Sequence, residues 1–374
     1  MTTLQTAVLH KTVLLILCTV LAGCASASAN DQPRGSDAAG NTAFDASELF
    51  TDRDLRQQAD ESNAVSYILH DNETISLTKE GVYVISGTAE NAMIFVDVPK
   101  SADVQIVLDN AEISNTDMPA ICALKADKLF VTTANGSKNR FSVSRSIDDD
   151  AYHNADGAVF SRCDLTLNGL GSLSIESADN GIVCKDDLRI TGGTLSINAD
   201  DSAVEANASI AVYDGTITLK AANDGLHAEN DDDDALGFVV IKNGTITIEC
   251  GDDAIHGQSR VVILDGVITL SGREGIESTD VLISGGTLNI QGSDDCINAG
   301  HKSDSLPVQI VISGGNITLA AKGKDADAID SNGAFIVNGG TLDIRSDQPF
   351  DVVGSAEYNG GTIIVNGKNV NKIK

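Results

Sequence analysis

The sequence contains no tryptophan, and Phe, Tyr and Trp together make up 4% of its 374 residues. A flat aromatic platform of the kind that stacks on crystalline cellulose is therefore disfavoured. Positive charge is scarce as well: 25 Lys and Arg stand against 54 Asp and Glu, a formal net charge of -29. That argues against nucleic acid as a partner and against adhesion to an anionic surface without cations. No C-x-x-C pair occurs among the cysteines, and His227 and His256 are the only histidines at one phase of the repeat. No zinc set of familiar spacing results. The apolar run from Val13 to Leu21 is too short to span a bilayer by itself.

That run follows Lys11 and closes on Leu21-Ala22-Gly23-Cys24, the pattern of a bacterial lipoprotein signal, with small residues that suit cleavage. We expect residues 1–23 to be a signal peptide, Cys24 the acylated N-terminus, and 24–48 a flexible tether rich in Ala, Ser, Asn, Asp and Gly. Residues 49–374 are then one exported domain, held by lipid at the cell surface or periplasmic face of a membrane. Beyond Cys18 and Cys24 remain Cys122, Cys163, Cys184, Cys250 and Cys296. An odd number at differing phases argues against a disulfide ladder and for buried small apolar side chains.

What is abundant is repetition. Apolar hub residues recur at Ile182, Val204, Leu226, Ile255, Ile276, Ile297, Ile329 and Phe350, at steps of 22, 22, 29, 21, 21, 32 and 21 residues. A Gly-Gly-Thr-like phrase keeps time with them, as at Gly192-Gly193-Thr194 and Gly339-Gly340-Thr341, each followed by an alternating strand. The period marks a solenoid. Val, Ile, Leu and Thr fill the strand positions and Gly, Asn and Asp the turns. Each unit is too short to bury its apolar face alone, so stacked parallel coils of about 21–22 residues are predicted, a parallel β-helix. Leucine-rich repeats and the nine-residue calcium β-roll do not fit the hubs or the period. Val159 and the Pro119-Ala120-Ile121-Cys122 stretch read as earlier coils. Thr51 to Gln58 reads as a short N-capped helix closing the first coil, and the polar tail from Lys368 as a candidate for the other end.

Equal phases in neighbouring coils lie roughly 4.8 Å apart, so the hubs define columns. Two positions before the hub stand Asn180, Ser202, Asp224, Asp253, Glu274, Asp295, Asp327 and Gln348; one position after it stand Val183, Glu205, His227, His256, Glu277, Asn298, Asp330 and Asp351. Single Asp residues are ordinary turn formers, but five successive acids in one column repel by about 3.5 kcal/mol per neighbour at an effective dielectric near 20. Such a stack must raise its pKa values, pair with bases or bind cations. Calcium, which favours several carboxylate and carbonyl oxygens, is the expected cofactor. Its candidate ligands are Glu205, Asp224, Glu229, Asp231, Asp253, Glu274, Glu277, Asp295, Asn298, Asp327 and Asp330. Two coils carry seven extra residues after their hubs, one at Glu229 to Gly237 and one including His301 to Asp304. These loops are expected to rise as walls of a groove on either side of the coils hubbed at Ile255 and Ile276.

The stretches Phe50 to Leu55, Lys185 to Gly193, Asp224 to Asn230, Glu274 to Glu277 and Tyr358 to Gly367 resemble a family of exported bacterial carbohydrate-binding proteins, over nearly all of residues 50–373. The resemblance implies a right-handed parallel β-helix, similar to that of calcium-dependent pectate lyases, which binds calcium and acidic plant polysaccharide such as polygalacturonate. One departure is Asp295-Cys296, where the family often has Asp-Gly.

The leading expectation is a monomeric, lipid-anchored protein that binds acidic polysaccharide through calcium on its acidic columns. Lys302, Lys322, Lys324, His227 and His256 are the candidate sugar contacts. The alternatives are a pectate-lyase-like enzyme with Lys185, Arg273 or Lys302 as base, and a surface solenoid that calcium merely stabilises.

Overall fold

The structure, a computed structural model, describes residues 44–147 and 154–373. The expected signal peptide, Cys24 and the tether as far as residue 43 lie outside the described residues. The described residues are all-β, one large sheet system dominated by parallel pairing, with a single 3-10 turn among them at Ser47–Leu49. Among the described residues no helix is long and apolar enough to cross a membrane.

Strand pairing follows the repeat. Each unit supplies a hub strand such as Val204–Ala206, a second strand such as Ser209–Val212 and a third such as Thr216–Ala221. Each pairs in parallel with its counterpart one unit on. Hub register runs without slip through Ile182, Val204, Leu226, Ile255, Ile276, Ile297 and Ile329. Upstream it continues through Val159, Ile121, Ile94 and Ile75, the first two as the sequence pattern indicated. Third strands alternate exposed and buried residues, so one face packs inward. The hubs, Ile197, Leu219, Ile248 and Leu270 share one buried apolar cluster along the stack. The five cysteines beyond residue 24 are all free thiols. Four of them are buried and Cys250 is half-buried, and burial pushes the thiol of Cys250 up to about 12.

The second strands differ, because residues such as Ser209–Val212 and Phe238–Ile241 are buried on both faces. Their outer face is covered by the segment leading into the first unit. Ala46, Leu49 and Phe50 pack on Ala211, Phe238, Val240 and Val262, and Phe50 meets Tyr213 edge-on. Further along, Arg189 Nε donates to the Leu49 carbonyl at 2.7 Å, and Gln57 Nε2 donates to the Thr191 carbonyl at 3.1 Å. Thr51 to Gln58 is thus turn and extended chain strapped across the flank, a correction to the helical cap. The strap gains more by burying Leu49 and Phe50 against the sheet than by closing four helical hydrogen bonds at an open end. Packing already includes Phe44 and Ala46, inside the stretch expected as tether. The C-terminal end is closed by an antiparallel pairing of Ile363–Val365 with Lys368–Val370.

Asp54 pins the strap. It is fully buried, lies 3.0 Å from Lys128 Nζ and accepts from Thr166 Oγ1 at 2.6 Å and Thr51 N at 2.8 Å. Burial works against its charge, but these donors hold its pKa below the ordinary value. Asp54→Ala is expected to cost about 3 kcal/mol in urea unfolding, because it leaves the buried Thr166 without its acceptor and the half-buried Lys128 with only Asp164, at 3.7 Å. A loss under about 0.5 kcal/mol would mean the strap is ornamental to stability.

Candidate functional site

Both predicted columns form. Glu205, His227, His256, Glu277, Asn298, Asp330 and Asp351 stand in direct register, and so do Asp253 and Glu274. The backbone N–H of Asp253 donates to Asp224 at 2.9 Å and that of Asp327 to Asp295 at 3.0 Å, which holds each carboxylate against the next unit. Asp224, Asp253, Glu274, Glu277, Asp295 and His256 are buried, while Glu205, His227, Asn298, Asp327 and Asp330 are half-buried.

The site divides in two by how the charge is met. In the first part bases are built in. His227 Nδ1 lies 2.7 Å from Asp224 and its Nε2 3.1 Å from Glu229. His256 Nδ1 lies 3.2 Å from Asp253 and 2.9 Å from Glu277, whose other oxygen meets Lys302 Nζ at 2.7 Å. Burial opposes the charge on His256, but Asp253 and Glu277 carry its pKa up to about 9. Burial likewise opposes ionisation of Glu277, yet His256 and Lys302 bring it down to about 2. Arg273 contacts Asp252, Asp294 at 2.8 Å and Glu274 at 3.1 Å. Glu274 still rises to about 8, through burial and then through Glu277 and Asp253. Burial similarly raises Glu205, against the pull of His227.

In the second part bases are missing. Asp295, Asp327 and Asp330 are each pushed up to about 6, by burial first and then by one another and by neighbouring acids. None has an ion-pair partner among the described residues. Asn298, in register with Asp330, gives Nδ2 to Glu274 at 3.1 Å and leaves its buried Oδ1 without a hydrogen-bond partner among the described residues. Asp253 Oδ1 is also buried without a hydrogen bond among the described residues, but there Arg273 Nη2 stands 3.7 Å away and supplies the positive charge. An unmet buried oxygen costs about 1–3 kcal/mol, so the Asn298 oxygen, with no such cation beside it, is the one that calls for a donor or cation. Carboxylate and amide oxygens with no nitrogen ligand fit a hard divalent cation.

The inserted loops do not stand apart as groove walls. Ser303 Oγ and Ser305 Oγ both donate to the Asp234 carbonyl, at 2.6 and 2.7 Å, so the loops meet over the two units between them. Thr279 Oγ1 accepts from the Ser303 backbone at 2.8 Å and donates to the Gln258 carbonyl at 2.9 Å; Gln258 in turn accepts from Asn230 N at 2.7 Å. Beneath this bridge Asp253–Ile263 and Glu274–Ile283 run as unbroken, buried strands. Three hydroxyls on short side chains close a gap that length alone left open. The bridge also aims Lys302 at Glu277.

Several candidates fall outside the cluster. Asp231 is exposed on a loop whose turn is organised by Asn230 Oδ1, which accepts from the N–H groups of Asp232 and Asp233. Lys322 reaches Gln291 at 3.0 Å, Lys324 is exposed in the adjacent turn, and Lys185 pairs with Asp156 at 3.3 Å. Asp252 and Asp294, the clamps on Arg273, were missed. Three positions before the hub the aligned units read Asp179, Asp201, Asn223, Asp252, Arg273, Asp294, and one arginine between aspartates was the available signal.

A family model described as "Carbohydrate-binding domain-containing protein" matches residues 71–351. A relative of that same description from Acetivibrio thermocellus is 32% identical over 124 residues, which is 32% of this chain and 43% of the relative. The chain thus matches less than half the length of that relative. The solved structure of a polysaccharide lyase-like protein from C. thermocellum, a gadolinium derivative, is similar with a TM-score of 0.55 at 28% identity, over 59% of this chain and 96% of the other.

Proposed function

Because the chain belongs to the family of carbohydrate-binding domain-containing proteins, we propose that it is a calcium-dependent binding protein for acidic polysaccharide of the polygalacturonate class. In this reading the stacked units form a right-handed parallel β-helix, as the handedness rule for parallel crossovers favours, and Cys24 carries the lipid that holds the domain at a membrane surface. The observation that carries the proposal is the base-free end of the acidic columns. Asp295, Asp327 and Asp330 press on one another beside the unmet oxygen of Asn298, and these residues would hold the ion. Calcium would supply the positive charge that lets an acidic surface accept a uronate chain.

Binding without turnover is favoured over β-elimination. Removing the proton beside a uronate carboxyl needs a base of lowered pKa. Lys302 is instead raised despite its burial, through its hydrogen bond to Glu277. Arg273 is raised too, first by Asp252. Electrophoresis of the full chain through gels containing polygalacturonate tests the proposal: retardation is expected with calcium and none with chelator. Equal mobility in the two gels would overturn it, and calcium-dependent release of unsaturated, ultraviolet-absorbing products would replace it with the lyase reading.

A further inference from the structure

The two histidines of the column are arranged for more than charge balance. His227 and His256 occupy the same phase of adjacent units, and their rings stack with centroids 4.6 Å apart and an interplanar angle of 9°. Each has Nδ1 tied to carboxylate: His227 to Asp224 at 2.7 Å, His256 to Asp253 at 3.2 Å and to Glu277 at 2.9 Å. That leaves Nε2 as the outward nitrogen on both rings. His227 Nε2 already meets Glu229 at 3.1 Å. His256 is 7% exposed, and among the described residues its hydrogen bonds and ion pairs all run through Nδ1. The ligating atoms of His227, Glu229 and His256 all lie within 4.8 Å of one another.

We propose that His227, His256 and Glu229 form a site for a zinc-class divalent metal, separate from the calcium site at Asp295, Asn298, Asp327 and Asp330. Two imidazoles and one carboxylate suit zinc, cobalt or nickel, whereas calcium and magnesium favour oxygen throughout. Three protein ligands leave a further position open to water or to a ligand oxygen. In the stacked arrangement the two Nε2 lone pairs run side by side, so holding one ion requires the rings to tilt toward each other, and the carboxylates on the Nδ1 atoms supply the outer hydrogen bonds that raise the basicity of metal-bound histidine. Glu229 comes from the start of the inserted loop, so the insertion that builds the bridge also completes the ligand set. The inference goes beyond the glycan reading and needs no polysaccharide to be tested.

The experiment uses the full chain, with zinc measured by competition against a chromophoric chelator and cobalt by its visible absorption. One equivalent is expected to bind, with cobalt bands of four- or five-coordinate intensity. His227→Gln and Glu229→Gln are each expected to weaken zinc at least about tenfold. Glu229 is exposed, so its variant keeps the fold and isolates the ligand role. Zinc affinity equal to wild type in both variants, or cobalt absorption no different from the free aqueous ion, would overturn the assignment. A loss of calcium response in these variants would instead mean that the two sites are one.

Discussion

In chelator, the melting temperature of the full chain is expected to fall by several degrees between about pH 5 and pH 8, and calcium is expected to restore it at pH 8 while adding little at pH 5. Glu274 titrates near 8 in the fold, and Asp253, Asp295, Asp327 and Asp330 near 6. All stand above their unfolded values, so the folded chain holds protons that the unfolded chain has already released. Stability therefore drops as pH rises through that window. His256, near 9, acts in the same direction, because its stabilisation is complete below an unfolded value of about 6.5 and is lost as pH rises toward 9. Glu277, near 2, and the lowered Asp224 lose their contribution only in acid, below the window. In the proposed reading calcium would bind the ionised carboxylates, so its effect is expected to grow as the protons leave. Asp295→Asn with Asp330→Asn is expected to make the fall shallower, to abolish the calcium response and to remove retention by polygalacturonate. A melting temperature that climbs from pH 5 to pH 8 in chelator, or a calcium shift undiminished in the double variant, would falsify this account of the columns.

The second large effect concerns the position just before the hub. Gly275→Val is expected to prevent accumulation of folded protein, a loss above about 4 kcal/mol. A Cβ there would stand 2.1 Å from Ile290 Cγ2 and 2.5 Å from the Cys296 carbonyl oxygen. The backbone of the next unit cannot retreat without breaking the ladder. Gly181 and Gly225 meet the carbonyls of Ala203 and Ala254 at 2.5 Å in the same manner, so glycine alternates with a small residue along this column. Cys296 takes the small-residue place after Gly275 and is fully buried. That accounts physically for its departure from Asp-Gly. Cys296→Ala is accordingly expected to be mild, about 1 kcal/mol for a small buried volume. Far-UV circular dichroism and urea unfolding of the two variants check the contrast. A stable, fully folded Gly275→Val would mean that the units slide past one another more freely than the close contacts allow.

The hub spacing was sufficient to place residues 180 to 352 in register, because side chains at equal phase must meet in neighbouring strands about 4.8 Å apart. The same arithmetic put Asp253 beside Glu274 and His227 beside His256 without coordinates, and the scarcity of bases was visible in composition. Which acids were already neutralised was not visible. Arg273 turns to Asp252, Glu274 and Asp294, and Lys302 crosses from a loop to Glu277. Those pairings depend on how far a flexible side chain reaches, and periodicity says nothing about reach. The strap was misread because Thr51 to Gln58 carries helix-start chemistry, while the apolar flank that captures it is built from Ala211, Val240 and Val262, three units of the chain far away in sequence. The bridge between the loops depends on Ser303 and Ser305 meeting one carbonyl of Asp234. The sequence by itself therefore determined the stack and its acidic columns, since both follow from a local period repeated. Only the tertiary structure decided which part of those columns is left without a base, since that is set by contacts between residues that no period relates.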